Sequence, residues 1–256
     1  MPDFLTFIPQ SQMLRLHSDL TALATACRIN CLGMVARAGA GHLGGSFSAM
    51  DILVWLYHRE MQEGDMCILS KGHAALAQYA VLHSKGVLSD TDLLTFRDGR
   101  GGLSAHPTVG TAGICCNTGS LGMGISKAKG MIFANRLQGH HHRLFVILGD
   151  GEMQEGQIAE ALSPHVQPSG WMSELMVIVD QNYAQGNGLV WNTRIPPRPG
   201  TFDKYGWREL AGTIDGHDFS GTNGLAQLHT HFLDLPTAIT CSTIKGKGVS
   251  FMENNP

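Results

Sequence analysis

The chain has no long apolar run: nothing in its 256 residues approaches the ~20 needed for a membrane-spanning helix. Its first residues, MPDFLTFIPQSQ, lack the basic start and apolar core of a signal peptide. No CxxC pair occurs among the six cysteines, and Cys115 and Cys116 are adjacent. That pattern argues against a disulfide frame and for reduced thiols in a cytoplasmic protein. A large excess of charge of one sign is also absent. A formal net charge of -3 gives nucleic acid or an anionic membrane surface no footing. There is no G-x-G-x-x-G after the first strand, which speaks against a dinucleotide enzyme. Repeats, low-complexity runs and linkers are missing too, so residues 1–256 are expected to form one domain.

Glycine is the excess, with 32 residues gathered at 39–45, 99–102, 119–124, 149–156, 186–188 and 246–248. Glycine is favoured where backbone turns sharply or approaches a ligand, so several loops are expected to converge on something small. Between them, apolar strands at 66–69, 143–148, 174–180 and 237–243 alternate with helical stretches. The pattern predicts helices over 13–38, from Ser46 or Ser48 to about Tyr57, up to Ser84, over 90–96, and from the 119–124 loop to about Leu137. Others are predicted from about Glu152 and over 222–234. Pro164 and Pro168 end the Glu152 helix, and 189–203 reads as loop. This alternation implies an α/β fold with a doubly wound, mostly parallel sheet and helices on both faces.

Two strand ends then carry oxygen ligands. Gly149-Asp150-Gly151 follows one strand and Asp180-Gln181-Asn182 ends another. Ligands of such sheets bind beyond the carboxyl ends of the strands. A divalent cation takes carboxylate, amide and phosphate oxygens, and Gly151 at a helix start lets a diphosphate approach. Taken alone, Gly-Asp-Gly is equally a turn with a capping Asp. Asn182 after a second buried strand favours the cation.

His42, His73 and His106 each follow a small residue in a Gly- or Ala-containing loop. Each alone reads as a solvated loop residue; together they suit phosphate donation or proton relay near neutral pH. His140, His141 and His142 read as a solvated loop, and His58, His83, His229 and His231 as helix surface or core edge. Glu155 is either a carboxylate favoured by a helix N-terminus or functional. Lys245 and Lys247 either meet a phosphate or are solvated. Cys115 and Cys116 are expected to be buried and inert, with no basic neighbour in sequence to activate them.

The stretches GHLGGSFSAMDILVWLY, ILSKGHAALAQYAVL, NTGSLGMGISKAKGM, GDGEMQEGQ, VIVDQN, IDGHD and TIKGKGVSFMENNP together resemble the transketolase family. The likeness is to its N-terminal, diphosphate-binding domain, above all where the enzyme is split over two polypeptides. It implies the thiamine diphosphate-binding fold, and thiamine diphosphate with Mg²⁺, or Ca²⁺ or Mn²⁺ in its place. By the family pattern Asp150, Asn182 and the carbonyl of Ala184 hold the metal, while Gly151 and His73 touch the diphosphate. Leu121 with Gly119 and Gly122 lies against the aminopyrimidine, and Glu152 and Asn182 count among the cofactor-binding residues. His42 and His106 face the substrate. Glu155 meets its symmetry mate and the partner's catalytic glutamate.

The implied reaction moves a two-carbon ketol unit from a ketose to an aldose, with the cofactor as electron sink. The glutamate that activates the cofactor lies in the family on the pyrimidine-binding domain of another chain. A heterotetramer built with a C-terminal partner subunit is therefore expected. Three departures stand out. The Asp150–Asn182 interval is about two residues longer than usual in the family. Asn182-Tyr183-Ala184-Gln185-Gly186-Asn187-Gly188 replaces the common Asn-Gly-Leu-Gln-Ile-Asp-Gly. The chain stops at Asn254-Asn255-Pro256, where split relatives usually continue into a Trp-His-Gly; either the partner or a neighbouring residue is expected to cover the role of that histidine, or substrate handling differs. Two further readings stay open: a non-catalytic subunit that binds cofactor or merely scaffolds a partner, and a related thiamine diphosphate-dependent synthase of specialised metabolism.

Overall fold

A computed structural model describes residues 7–163, 172–185, 188–189, 200–230 and 234–253. Five strands form one parallel sheet: β1 (Met66–Leu69), β2 (Leu144–Gly149), β3 (Leu175–Gln181), β6 (Arg208–Asp215) and β7 (Thr237–Ser242), in the order β1-β2-β3-β7-β6. A small antiparallel pair, β4 (Ala184–Gln185) with β5 (Gly188–Leu189), follows β3. Around the sheet lie α1 (Gln10–Met13), α2 (Leu20–Ala38), α3 (Leu43–Trp55), α4 (Ala75–Ser84), α5 (Asp90–Leu94), α6 (Gly124–Leu137) and α7 (Gly156–Leu162).

Strand side chains alternate between faces, and this alternation splits the core in two. Phe145, Ile147, Met176, Ile178 and Ile239 point to one side, where α2, α3 and α4 pack. Leu144, Val146, Leu148, Val177 and Val179 point to the other, against α6, α7, Phe202 and Trp207. Both faces are covered, which explains why the central strands are apolar at every position. The doubly wound α/β expectation holds.

Five local expectations are corrected. The helix predicted over 13–38 is broken: a short 3-10 turn at Leu14–Leu16 ends before Asp19, whose carboxylate accepts from Ala22 N at 2.9 Å and starts α2. Apolar spacing continues across the break and conceals it. At its far end α2 stops at Gly39, whose φ of 72° gives the left-handed cap. Secondly, α3 begins at Leu43 with His42 in the capping position, so Ser46 and Ser48 lie inside the helix and cap nothing. The helix predicted from Glu152 is a 3-10 turn over Glu152–Gln154 followed by α7, and that predicted over 222–234 is a 3-10 stretch, Leu225–Thr230. Finally, β6 has no counterpart among the predicted strands. It is an edge strand, half-exposed, with an irregularity in its pairing between Glu209 and Thr213. Pro164, Pro168, His231, Gly186, Asn187, residues 190–199 and the final residues 254–256 lie outside the described residues, and with them most of the loop predicted over 189–203.

Candidate cofactor site

All five strands of the sheet run the same way, so their carboxyl ends share one edge. β1 delivers Ser70-Lys71-Gly72-His73 there, β2 delivers Asp150, β3 delivers Asn182, and β7 leads to Lys245. Register fixes the neighbours. Gly149 pairs with Asp180, so Asp150 emerges beside the turn that carries Asn182. Asp150 Oδ1 accepts from Gly151 N at 2.8 Å and Oδ2 from Tyr183 N at 2.7 Å. The residue is only 2 % exposed. Burial, followed by the charge of Asp180, raises its pKa to about 6, and the two N–H donors offset only part of that rise. Such a carboxylate gains from an added cation.

Asn182 donates from Nδ2 to Ser48 Oγ at 3.2 Å, and its Oδ1 accepts from Ala184 N at 3.1 Å. Ser48 in turn donates to Asp180 Oδ2 at 2.7 Å, and Lys71 and Thr243 close on the same carboxylate. Lys71 and Asp180 are 1 % and 0 % exposed. Beneath the two ligand-bearing strand ends therefore lies a buried ion pair that fixes the Asn182 turn. The sequence signal is a charge ending the otherwise apolar strand LMVIVDQ, but its partners come from segments 63 to 132 residues away.

The three loop histidines come together. His42 and His73 meet edge to face with ring centroids 5.9 Å apart, and a Cβ on Gly45 would touch His73 Nε2 at 3.0 Å. A Cβ on Gly119 would lie 3.4 Å from the His106 ring. Burial, then Lys71, pushes His73 down to about 3, so it is neutral at physiological pH. Burial, then His42 and Arg97, also lowers His106. Leu121 sits half-buried between Gly119 and Gly122, both at positive φ.

Glu152 stands behind these loops. It is 2 % exposed, and its carboxylate accepts from Ser70 Oγ at 2.5 Å, Gly122 N at 2.8 Å and Gly149 N at 3.1 Å. It ties the 119–124 loop to the end of β2 and supports the site from beneath. Glu155 is exposed at the start of α7, with its Cβ 2.9 Å from where a Gly122 Cβ would stand. Ala184 is half-buried in β4, two residues past Asn182. Lys245 is half-buried near Asp150 and Lys71, its pKa lowered by burial and then by Lys71, whereas Lys247 reaches Glu253 at 3.9 Å near the surface.

The Lys245 loop has an anchor that the sequence does not disclose. His217 Nε2 accepts from Ile244 N at 2.9 Å, which leaves Nδ1 to donate to Asp51 at 2.5 Å, and Asp51 pairs with Arg28. Cys115 and Cys116 are half-buried with Lys127 nearby, which corrects the expectation of buried thiols without a basic neighbour. His141 is exposed and hydrogen-bonded to Glu174, in keeping with a solvated loop.

Among the described residues no group of three or more His, Cys, Asp or Glu is placed to hold a metal by itself. Asp150, Asn182 and the Ala184 carbonyl, expected from the resemblance to hold a metal, would offer a carboxylate, an amide and a backbone carbonyl, all hard oxygens. Such a set fits Mg²⁺ or Ca²⁺ completed by phosphate oxygens. The Gln185 side chain lies over Gly151, 3.1 Å from where a Cβ would stand, so a phosphate reaching that backbone has to displace it.

Comparison with known proteins agrees. The family described as "Transketolase, thiamine diphosphate binding domain" matches residues 20–255. A 6-deoxy-6-sulfo-D-fructose transketolase subunit of Clostridium sp. (strain MSTE9) is 34% identical, over 92% of this chain and 88% of its own. An apulose-4-phosphate transketolase subunit of Phocaeicola vulgatus is 31% identical, over 86% and 80%. The solved transketolase of Campylobacter jejuni superposes with a TM-score of 0.79 at 27% identity, covering 94% of this chain and 39% of that one. For the transketolase of Leishmania mexicana the values are 0.80, 25%, 91% and 38%. The chain thus spans well under half of those single-chain enzymes and most of the length of the subunits. With a matching fold and a matching family description over nearly its whole length, the chain belongs to the transketolase family as its thiamine diphosphate-binding domain.

Proposed function

We propose that this chain is the diphosphate-binding subunit of a two-polypeptide transketolase that moves a two-carbon ketol unit from a ketose to an aldose. The observation that carries this reading is the meeting of Asp150, Asn182 and the three histidines His42, His73 and His106 at one edge of the sheet. Asp150, the Asn182 amide oxygen and the Ala184 carbonyl hold Mg²⁺, with Ca²⁺ or Mn²⁺ as substitutes. The Gly151 backbone meets the diphosphate once the Gln185 side chain over it moves aside. His73, neutral at pH 7, donates to a phosphate oxygen, and Lys245 adds positive charge near Asp150. Leu121 between Gly119 and Gly122 supports the aminopyrimidine. Bound thiamine diphosphate supplies the nucleophilic carbon and the electron sink.

His42 and His106 face the sugar. A neutral imidazole both donates and accepts, so each can pass a proton to or from a substrate hydroxyl without a charge being buried. The remaining part of the site, a carboxylate for the cofactor ring, comes from a C-terminal partner subunit in a heterotetramer. Glu155, exposed beside Gly122, is the residue assigned to contact with that partner. The six free cysteines support a reducing, cytoplasmic setting.

The test is to mix the chain with its partner subunit, thiamine diphosphate and Mg²⁺ and to assay ketose-to-aldose transfer. Transfer that depends on all four and collapses in Asp150→Asn supports the proposal; transfer that persists without thiamine diphosphate ends it. Calorimetry separates catalysis from scaffolding: a scaffold that does not hold cofactor shows no binding heat even with the partner present.

A further inference from the structure

Cys115 and Cys116 have no part in the cofactor site, yet they sit beside it. Both thiols are half-buried and pack against the core on the α6 face, and Cys115 Sγ donates to Cys67 O at 3.5 Å. Cys115 also lines a surface cavity of about 370 Å³ with Met61, Met66, Cys67 and Val87. The next residues lead straight to the cofactor loop. Lys127 Nζ donates to Asn117 O at 2.6 Å, and Thr118 N donates to Pro107 O at 3.1 Å, beside His106. The other four cysteines are buried.

We propose that Cys115 and Cys116 form a dithiol modification site that small hydroperoxides close to a reversible disulfide. The two residues divide the work. Cys115 keeps its proton, which it donates to Cys67 O, while the Lys127 ammonium, bonded to the carbonyl of the adjacent Asn117, favours the thiolate of Cys116. Cys116 therefore attacks. Its thiolate bonds to one peroxide oxygen, the O–O bond breaks and hydroxide leaves, giving a sulfenic acid. Cys115 sulfur then attacks the Cys116 sulfur, the S–O bond breaks and water leaves with the thiol proton. In sum, two thiols and one hydrogen peroxide become one disulfide and two waters. Neighbouring Cα atoms lie about 3.8 Å apart, closer than in ordinary disulfides, so thiols reopen the bond readily. In a reducing compartment that behaviour belongs to a sensor rather than a staple.

The experiment needs neither cofactor nor partner, so it stands or falls apart from the transketolase reading. The full chain is treated with a small excess of hydrogen peroxide, alkylated while folded, digested and weighed. The expected product is a peptide holding both residues that is lighter by two hydrogens, resists alkylation and reverts with dithiothreitol. Phenylarsine oxide, one per native chain, should protect both thiols. In Cys115→Ser, Cys116 should stop at a sulfenic acid that dimedone traps. In Cys116→Ser, oxidation should slow by about tenfold or more, because the thiolate fraction falls. Two freely alkylated thiols, direct passage of Cys116 to sulfinic acid, or pairing between chains would overturn the proposal. The arsenical result on the native chain remains decisive if either variant fails to fold.

Discussion

A carboxylate at the end of an apolar strand needs a cation to remain ionised, and Asp180 has Lys71, Ser48 and Thr243 around it. The pair is fully enclosed, so removing one partner leaves a buried charge without compensation. Lys71→Met is expected to lower unfolding free energy by about 3–5 kcal/mol, and Lys71→Met with Asp180→Asn by clearly less. Urea titration of both variants checks this; equal losses would mean the charges are not coupled. His58 makes a different residue-level case. Burial, and then His17 at an edge-on ring distance of 4.7 Å, lowers its pKa to about 3, and its Nε2 meets Ser84 Oγ at 2.9 Å. The unfolded chain takes up a proton near the ordinary histidine pKa of about 6.5, while the folded chain refuses it until about 3. Its contribution is therefore intact above the unfolded value and shrinks as pH falls between them. The urea midpoint should drop between pH 7.5 and 5, and less steeply in His58→Asn.

At the scale of elements, the strands 66–69, 144–149, 175–181 and 237–242 are legible in the sequence because buried parallel strands are apolar runs closed by glycine or a polar residue. β6 is not, since RELAGTID lies at an edge where one side meets solvent and the apolar signal fades. The break before α2 is hidden because Leu16, Leu20 and Leu23 keep helical spacing across it. Asp19, a good capping residue, is the available sign. Asp19→Ala should cost about 1 kcal/mol, read as a lower thermal midpoint with unchanged secondary structure. Much of the site can be anticipated, since glycine clusters mark Asp150, Asn182 and the three histidines within their own segments. Ser48, Thr243 and His217 cannot, because their meaning depends on which distant strand ends become neighbours. Glu152 belongs to this scale also, as it joins two loops. Glu152→Gln turns an amide N–H toward a backbone N–H and should cost about 2 kcal/mol, with weaker thiamine diphosphate binding by titration. Stability lost without any change in cofactor affinity would confine Glu152 to holding the fold.

For the whole molecule, the Asp150 pKa is raised by burial first and by the Asp180 charge second, a cost that a bound cation relieves. Cofactor and metal should therefore stabilise together. With the partner present, thiamine diphosphate and Mg²⁺ at a hundred times their dissociation constant should add about 2.7 kcal/mol, and a chelator should remove it. Asp150→Asn should show little metal dependence in the same melting assay. The two faces of the sheet are also unequal. The face under α2, α3 and α4 contains the Arg28–Asp51–His217 anchor of the Lys245 loop, whereas the α6 face carries the paired thiols.

The irregular pairing of β6 has a consequence for how copies of the chain meet one another in a crowded solution. An exposed parallel edge is a template onto which a foreign strand can zip. Here the outermost strand carries Arg208 and Glu209, and its ladder is interrupted before Thr213, with Gly212 at a φ of 83° in the gap. An incoming strand would find charge, then a kink, and only a few consecutive backbone groups in register. The feature that hides this strand from sequence inspection thus also guards the sheet against edge-to-edge aggregation.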